Sequence, residues 1–281
     1  MPRMIYGTAW KKELTNTLVQ NAIVCGFRAI DTACQPKHYN EKLVGDGIKA
    51  GTELLNLQRE DIFIQTKFTP IAGQDPNQVP YNPKDTLTKQ IEKSIAVSLE
   101  NLQTYYIDSL LFHSPISPYS LLLEGWNKLE TYVANGTIKQ TGISNCYDIN
   151  LFKKLYKDTT IKPKVLQNRF YKETNYDYEL RVFCEENEIE YQSFWSLSAN
   201  PHILNTKLLY TLSLKYNYSK EVIFYRFLTQ LNISPLNGTT SIEHMKEDLN
   251  IFEFELTRQE INMLQMLLDH NNICDVSCCP N

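Results

Sequence analysis

The sequence predicts an α/β chain folded as a single (β/α)8 barrel, and three observations carry that prediction. First, about eight short apolar runs alternate with stretches that show a helical stripe, the pattern of βα units around a parallel sheet. Second, several runs are apolar throughout, as strands buried on both faces are. Four of them end on polar groups: Phe27 to Ile30 on Asp31, Ile62 to Thr66 on Lys67, Ser109 to Phe112 on His113, and Thr141 to Ile143 on Ser144-Asn145. Third, 281 residues with no shift in composition suit one large barrel, residues 1–269, with a short tail, 270–281.

The elements follow in order. Strand one is Met4 to Gly7. Lys11 to Cys25 has Leu14, Leu18, Ala22 and Cys25 on one face and stops at Gly26, a helix. Strand two leads to Asp31. Glu41 to Ala50 is a short helix closed by Gly51, and Ile62 to Thr66 is strand three. The stretch from Phe68 to Asn82 is rich in Pro, Gly, Gln and Asn and reads as a long mobile loop. Pro83 suits a first helical turn, and the helix runs to about Leu102 on Leu87, Ile91, Ile95 and Leu99. Strand four ends at His113. Leu121 to Val133 is a helix stopped by Asn135-Gly136, and Lys139 to Ile143 is strand five. Asp148 caps a helix to about Lys157. Val165 to Asn168 is strand six, Tyr178 to Glu186 a helix, and Ile189 to Phe194 strand seven. Two helical segments follow, Asn205 to Tyr216 and Ser219 to Leu231. Ile233 to Pro235 is strand eight. Ser241 to Leu249 and a last segment from Thr257 to about Leu268 are helices. A doubly wound open sheet would need a glycine-rich fingerprint between an early strand and a helix. The one candidate, Gly45-Asp46-Gly47, does not follow a strand.

Composition narrows the function classes. Hydrophobic residues at 42% support a sizeable core. A net charge of −4 without a Lys/Arg cluster gives no reason to expect nucleic acid. No run of about 18 apolar residues predicts a membrane span. The first residues enter a strand without a signal-peptide core. Seven cysteines, an odd number without paired metal spacing, fit a reduced, cytoplasmic chain better than a disulfide framework, and no metal is expected.

Asp31, Tyr39 within Tyr39-Asn40-Glu41, Lys67 and His113 come in this order, each at a strand end or on the loop after it. Taken singly, they could be a turn residue, one of 17 tyrosines, a surface charge and a satisfied core histidine. Taken together, they resemble the catalytic tetrad of the aldo-keto reductases. The resemblance runs from Tyr6-Gly7-Thr8 to Phe252-Glu253-Phe254-Glu255-Leu256, most of the chain. It implies NAD(P)H-dependent reduction of an aldehyde or ketone. Tyr39 would be general acid/base, Lys67 its activator, Asp31 the partner of Lys67, and His113 would orient the carbonyl oxygen with Tyr39. The residue types suit these roles. A phenol ionises near pH 10 when unperturbed, a nearby ammonium favours phenolate, and a carboxylate keeps the ammonium charged.

The same resemblance places the cofactor against Thr8, Asp31, the Ser144-Asn145 pair and Gln167, the last three at the nicotinamide amide. Where relatives usually have Tyr-Ser-Pro-Leu, this chain has Phe194-Trp195-Ser196-Leu197; Phe194 is expected to stack on the ring, ahead of Trp195. At the phosphate end Gly238 stands where a lysine is usual and His244 where an arginine is usual. Thr239 and Thr240 before a helix N-terminus still make an anion site, and Glu247 and Asp248 are expected at the adenine. NADPH is the expected cofactor, with NADH second and the preference weaker than usual, because two cations are missing.

The resemblance puts Trp10 beside the substrate with Tyr39 and His113, and the loop with Tyr81 as another wall. A short tail predicts an open pocket. Its Cys274, Cys278 and Cys279 read as solvated, and Cys34 as packed. A small-molecule carbonyl is the expected partner, and a monomer the expected state. The rival reading is a regulatory subunit of the same fold that senses nucleotide with little turnover. A lyase or isomerase barrel would need a metal or phosphate site that the sequence does not offer.

Overall fold

Eight parallel strands close into a barrel in sequence order, with β1 paired to both β2 and β8. This computed structural model describes residues 4–268. The strands are β1 Ile5–Gly7, β2 Ala29–Asp31, β3 Phe63–Phe68, β4 Ile107–Phe112, β5 Ile138–Ser144, β6 Val165–Arg169, β7 Glu190–Phe194 and β8 Ile233–Asn237. The helices are α1 Thr15–Cys25, α2 Glu41–Leu55, α3 Leu87–Asn101, α4 Tyr119–Ala134, α5 Ile149–Asp158 and α6 Tyr178–Glu186. Then come α7 Pro201–Leu204, α8 Lys207–Tyr216, α9 Lys220–Gln230, α10 Ile242–Leu249 and α11 Arg258–Met266.

The strands form because Ile5, Ile30, Ile64, Leu110, Ile143 and Leu166 are all buried between barrel and helices. Side-chain oxygens cap several helix starts. Asp148 accepts from the Asn150 and Leu151 amides, Ser219 from Val222, Ser241 from His244 and Thr257 from Glu260.

Five expectations are corrected. Helix α2 runs through Gly51 and ends at Asn56, which takes the left-handed conformation. Gly51 and Gly47 instead let α2 lie against α1; a Cβ on them would come within 2.9 Å of Ile23 and 2.6 Å of the Asn16 carbonyl. Helix α1 begins at Thr15, and Lys11 stays outside it, because Trp10 and Lys12 have positive φ (64° and 50°). Helix α3 starts after Thr86, so Pro83 lies in the preceding turn. The long loop is tied down: Gln74 Nε2 donates to the Cys34 and Thr69 carbonyls, and Gln35 Nε2 to the Gly73 carbonyl. Within it, Tyr81 is buried on Phe68 and donates to the Thr69 carbonyl, so it is core and no pocket wall. Cys34 is buried, as expected. The tail, with Cys274, Cys278 and Cys279, lies outside the described residues.

Strands β3 and β8 are longer than predicted, and this places the site. Lys67 is inside β3, opposite Leu111, and its side chain points into the barrel. Helices cover the outside, and the strand C-termini open on one rim, where barrels of this type bind ligands.

Candidate active site

At the rim, the four tetrad residues meet. Lys67 is 1% exposed, and its ammonium donates to Asp31 Oδ2 at 2.6 Å and to the Thr32 carbonyl at 2.9 Å. The same ammonium lies 5.4 Å from the centre of the Tyr39 ring. The Tyr39 and His113 rings meet edge to face at 5.8 Å. Burial pulls the Lys67 ammonium down from its usual range, and the Asp31 carboxylate pushes back up.

Asp31 is also the centre of a polar layer inside the barrel that the sequence reading missed. Its Oδ1 accepts from Gln65 Nε2 at 2.8 Å and Gln167 Nε2 at 2.9 Å. Both amides also donate to Gln192 Oε1. A buried charge needs this kind of satisfaction. Three glutamines in separate apolar runs leave no local signal for it.

Tyr39 is held by its loop. The Tyr39 and His38 amides both donate to the Gln35 carbonyl, and Asn40 caps α2. The first residue of α2, Glu41, is buried and takes the hydroxyl hydrogens of Thr66 and Ser98. The expectation that Lys67 lowers the Tyr39 phenol is overturned for the protein alone: burial, then the Asp31 charge, raise it. Burial is the larger cause, and Tyr39 keeps its proton across the neutral range.

His113 is the opposite case. Its Nδ1 is 2.6 Å from the Thr69 hydroxyl, and burial, then Lys67 and His38, pull its pKa from 6.5 to about 3. The ring is neutral in the fold and protonated in the acid-unfolded chain. Stability from burying it neutral is therefore complete above about pH 6.5 and is lost as pH falls towards 3. Relative to His113→Asn, wild-type stability should fall by up to about 1.4 kcal/mol per pH unit over that window, less because the ring edge meets the cleft. Urea unfolding at several pH values measures it, and parallel pH slopes in the two proteins would contradict it.

The tetrad floors a cleft of about 1010 Å³ that runs along the rim to α10. Trp10, Asp31, Tyr39 and His113 line one end. Ser144, Asn145, Gln167 and Phe194 line the middle. The Gln167 donors face the barrel, the Ser144 hydroxyl donates to the Gln167 carbonyl, and Asn145 Nδ2 donates to the His113 carbonyl. Ser144 Oγ also accepts from Asn145 Nδ2, and Asn145 Oδ1 from the Tyr147 hydroxyl, so the Gln167 amide oxygen is the acceptor left for a carboxamide NH2. Phe194 and Trp195 both line the cleft, and the Arg169 guanidinium lies over the Trp195 ring at 4.0 Å. Ser196 is buried and bonded to Ser193, and Leu197 is half-buried. Thr8 is buried, with its hydroxyl on the Asp31 carbonyl, below the cleft.

Gly238, Thr239, His244, Glu247 and Asp248 line the far end, whereas Thr240 is exposed beside it. Asp248 is clamped by Asn237 Nδ2, and burial pushes its carboxyl up to about 6. The missed residue here is Lys11. It is 9% exposed, and its ammonium donates to the Gly238 carbonyl. Among the described residues it has no carboxylate partner. Burial pulls it below the usual lysine range. The contact joins residues 227 apart in sequence. Arg169 and His38 also line the cleft without having been singled out. Among the described residues no group of His, Cys, Asp and Glu is placed to hold a metal ion. None of their helices is long and apolar enough to cross a membrane.

The closed parallel barrel holds a buried Lys–Asp pair beneath a tyrosine and a histidine at its rim, and the class of protein follows from comparison. The comparisons name it: the profile of the Aldo/keto reductase family matches residues 3–200, and the chain belongs to that family of NAD(P)H-dependent carbonyl-reducing enzymes. It is 32% identical to the uncharacterised oxidoreductase YtbE of Bacillus subtilis, over 91% of this chain and 84% of that one. It is 30% identical to the NAD/NADP-dependent indole-3-acetaldehyde reductase of Schizosaccharomyces pombe, over 92% and 86%. Among solved structures, the Bombyx mori aldo-keto reductase in complex with NADP superposes with a TM-score of 0.79 at 24% identity, covering 94% of this chain and 88% of that one. That likeness speaks for the fold.

Proposed function

We propose that this chain reduces a small aldehyde or ketone to the alcohol with Tyr39 as general acid. The observation behind the reading is the Lys67–Asp31 pair, 2.6 Å long and buried beneath Tyr39 and His113. The nicotinamide supplies the hydride when bound. The Tyr39 hydroxyl gives its proton to the carbonyl oxygen as the C–H bond forms. The phenolate left behind lies against the Lys67 ammonium and is reprotonated from solvent. Asp31 keeps that ammonium charged and fixed. Thr69 Oγ1 lies 2.6 Å from His113 Nδ1, and in the tautomer with the ring proton on Nε2 the histidine orients the carbonyl oxygen. One chain builds the whole cleft and is taken as the working unit.

For the cofactor, Asn145, Gln167 and Phe194 suit a nicotinamide carboxamide and ring. The phosphate end fits an anion through Lys11 and the amides before α10. Glu221 and Glu247 line the same end. A carboxylate repels a 2′-phosphate but accepts from a 2′-hydroxyl. NADPH and NADH are therefore expected to work within about tenfold of each other. Lys11→Ala is expected to weaken both by about tenfold or more. Fluorescence titration and turnover with each cofactor test this. A thousandfold preference for NADPH, or unchanged binding in Lys11→Ala, would sink it.

The test of the function is absorbance at the reduced-nicotinamide band with each cofactor against aliphatic and aromatic aldehydes. Oxidation supports the reading. Binding of cofactor without oxidation favours the nucleotide-sensing alternative.

A further inference from the structure

Arg169 lines the cleft, and the reduction as described gives it no task. It is the last residue of β6, in register with Phe194 on β7. Alternate side chains of a strand share a face, so Arg169 stands on the Gln167 face, roughly 7 Å nearer the mouth. Gln167 belongs to the polar layer around Asp31, and Arg169 rises from the wall above that layer. Its guanidinium lies over two rings, 4.0 Å from the centre of Trp195 and 5.0 Å from that of Tyr171. Trp195 has a φ of 56°, an uncommon conformation for a bulky residue that persists where the surroundings impose it.

At 4.0 Å the cation is close enough to stack, and stacking leaves the in-plane N–H donors free. Nothing uses them. Arg28, Arg59, Arg181 and Arg226 each donate to a carbonyl or a carboxylate. The Arg169 guanidinium has no hydrogen-bond or carboxylate partner among the described residues; its backbone amide donates to the Tyr147 hydroxyl. The neighbours of Arg169 narrow what it can serve. Lys11 and the amides before α10 hold the phosphate end, beside β8 and β1, and β7 stands between that end and β6. On the other side of β6 is β5, with Ser144 and then Asn145 at its end. The fork of Arg169 therefore belongs to the part of the cleft where the carbonyl is reduced. Its paired N–H groups match the two oxygens of a carboxylate.

We propose that Arg169 is a specificity-determining residue: its guanidinium, steadied on Trp195, pairs with a carboxylate that the substrate carries several bonds from the reacting carbonyl. The favoured substrates are then oxo acids, aldehydes or ketones with an acid group at the far end. This rests on the carbonyl-reducing reading above.

The test compares kcat/KM for 4-carboxybenzaldehyde with that for 4-formylbenzamide, which has the same shape without the charge, and for 6-oxohexanoate with that for hexanal. Wild type, Arg169→Gln and Arg169→Lys are measured side by side. Wild type is expected to favour the acid by about tenfold in at least one pair, the effect of one charge-assisted contact at a half-buried site, and to lose part of that preference as salt is added. Arg169→Gln should abolish the preference. Arg169→Lys, which keeps the charge without the fork, should retain part of it, a rescue that a merely structural role would not give. Fluorescence titration with NADPH and NADH separates the other source of an anion. If Arg169→Gln weakens both cofactors and leaves the acid preference intact, the guanidinium serves the pyrophosphate and the proposal is overturned. No preference for the acid in either pair overturns it too, as does an equal loss on acid and neutral partner in Arg169→Gln. Wild-type protein that binds cofactor and reduces no aldehyde, charged or neutral, overturns the underlying reading instead, and this inference with it.

Discussion

Tyr39→Phe is expected to lose about 10²- to 10⁴-fold in kcat/KM for aldehydes with cofactor affinity unchanged. The change removes one oxygen. The ring and its edge contact with His113 stay, so packing is preserved. The phenol is the proton source, and its raised pKa in the protein alone keeps it protonated through the neutral range. Reduction needs that proton, whereas the reverse oxidation needs the phenolate. The variant should therefore still take up cofactor in a fluorescence titration and fail only at turnover. Activity within tenfold of wild type would move the acid to another residue. His113 is a poor replacement, because a ring that binds its proton only near pH 3 is neutral in use.

The second large effect is on stability. Asp31→Asn should cost about 3–5 kcal/mol, read as a lower urea midpoint at an unchanged m value. The carboxylate is 2% exposed and serves Lys67, Gln65 and Gln167 at once. Its loss leaves an ammonium, itself 1% exposed, facing a neutral amide. Removing both charges is a different experiment. Asp31→Leu with Lys67→Met should recover much of the stability, since a buried pair is worth little over good apolar packing. The double variant should remain inactive. That separation would show that the pair is kept for chemistry. A loss below about 1 kcal/mol in Asp31→Asn would mean that water reaches the site and screens it.

Much of this was readable along the chain. Apolar runs and helical stripes have local periods, so the barrel, its order and most caps follow from neighbours a few residues apart. Asp148, Ser219 and Thr257 cap where the sequence placed them. The tetrad was legible because each member sits at a strand end or in the loop after it. Glycine was ambiguous. Gly51 reads as a helix stop, and only the approach of Ile23 shows that it is a packing position.

What the sequence determined alone was the set of chemical groups and the rim they occupy, because strand polarity in a parallel barrel sends every C-terminus to one side. What the tertiary structure decided was how those groups modify one another. The glutamine layer under Asp31, the ammonium of Lys11 on the Gly238 carbonyl, and the His38 ring on Trp10 each join residues far apart in the chain. Burial and through-space charge have no period and no fixed spacing. The same physics reversed the expected shift of Tyr39: the sequence supplies a lysine to lower it, but the fold buries the phenol and sets Asp31 against that lysine.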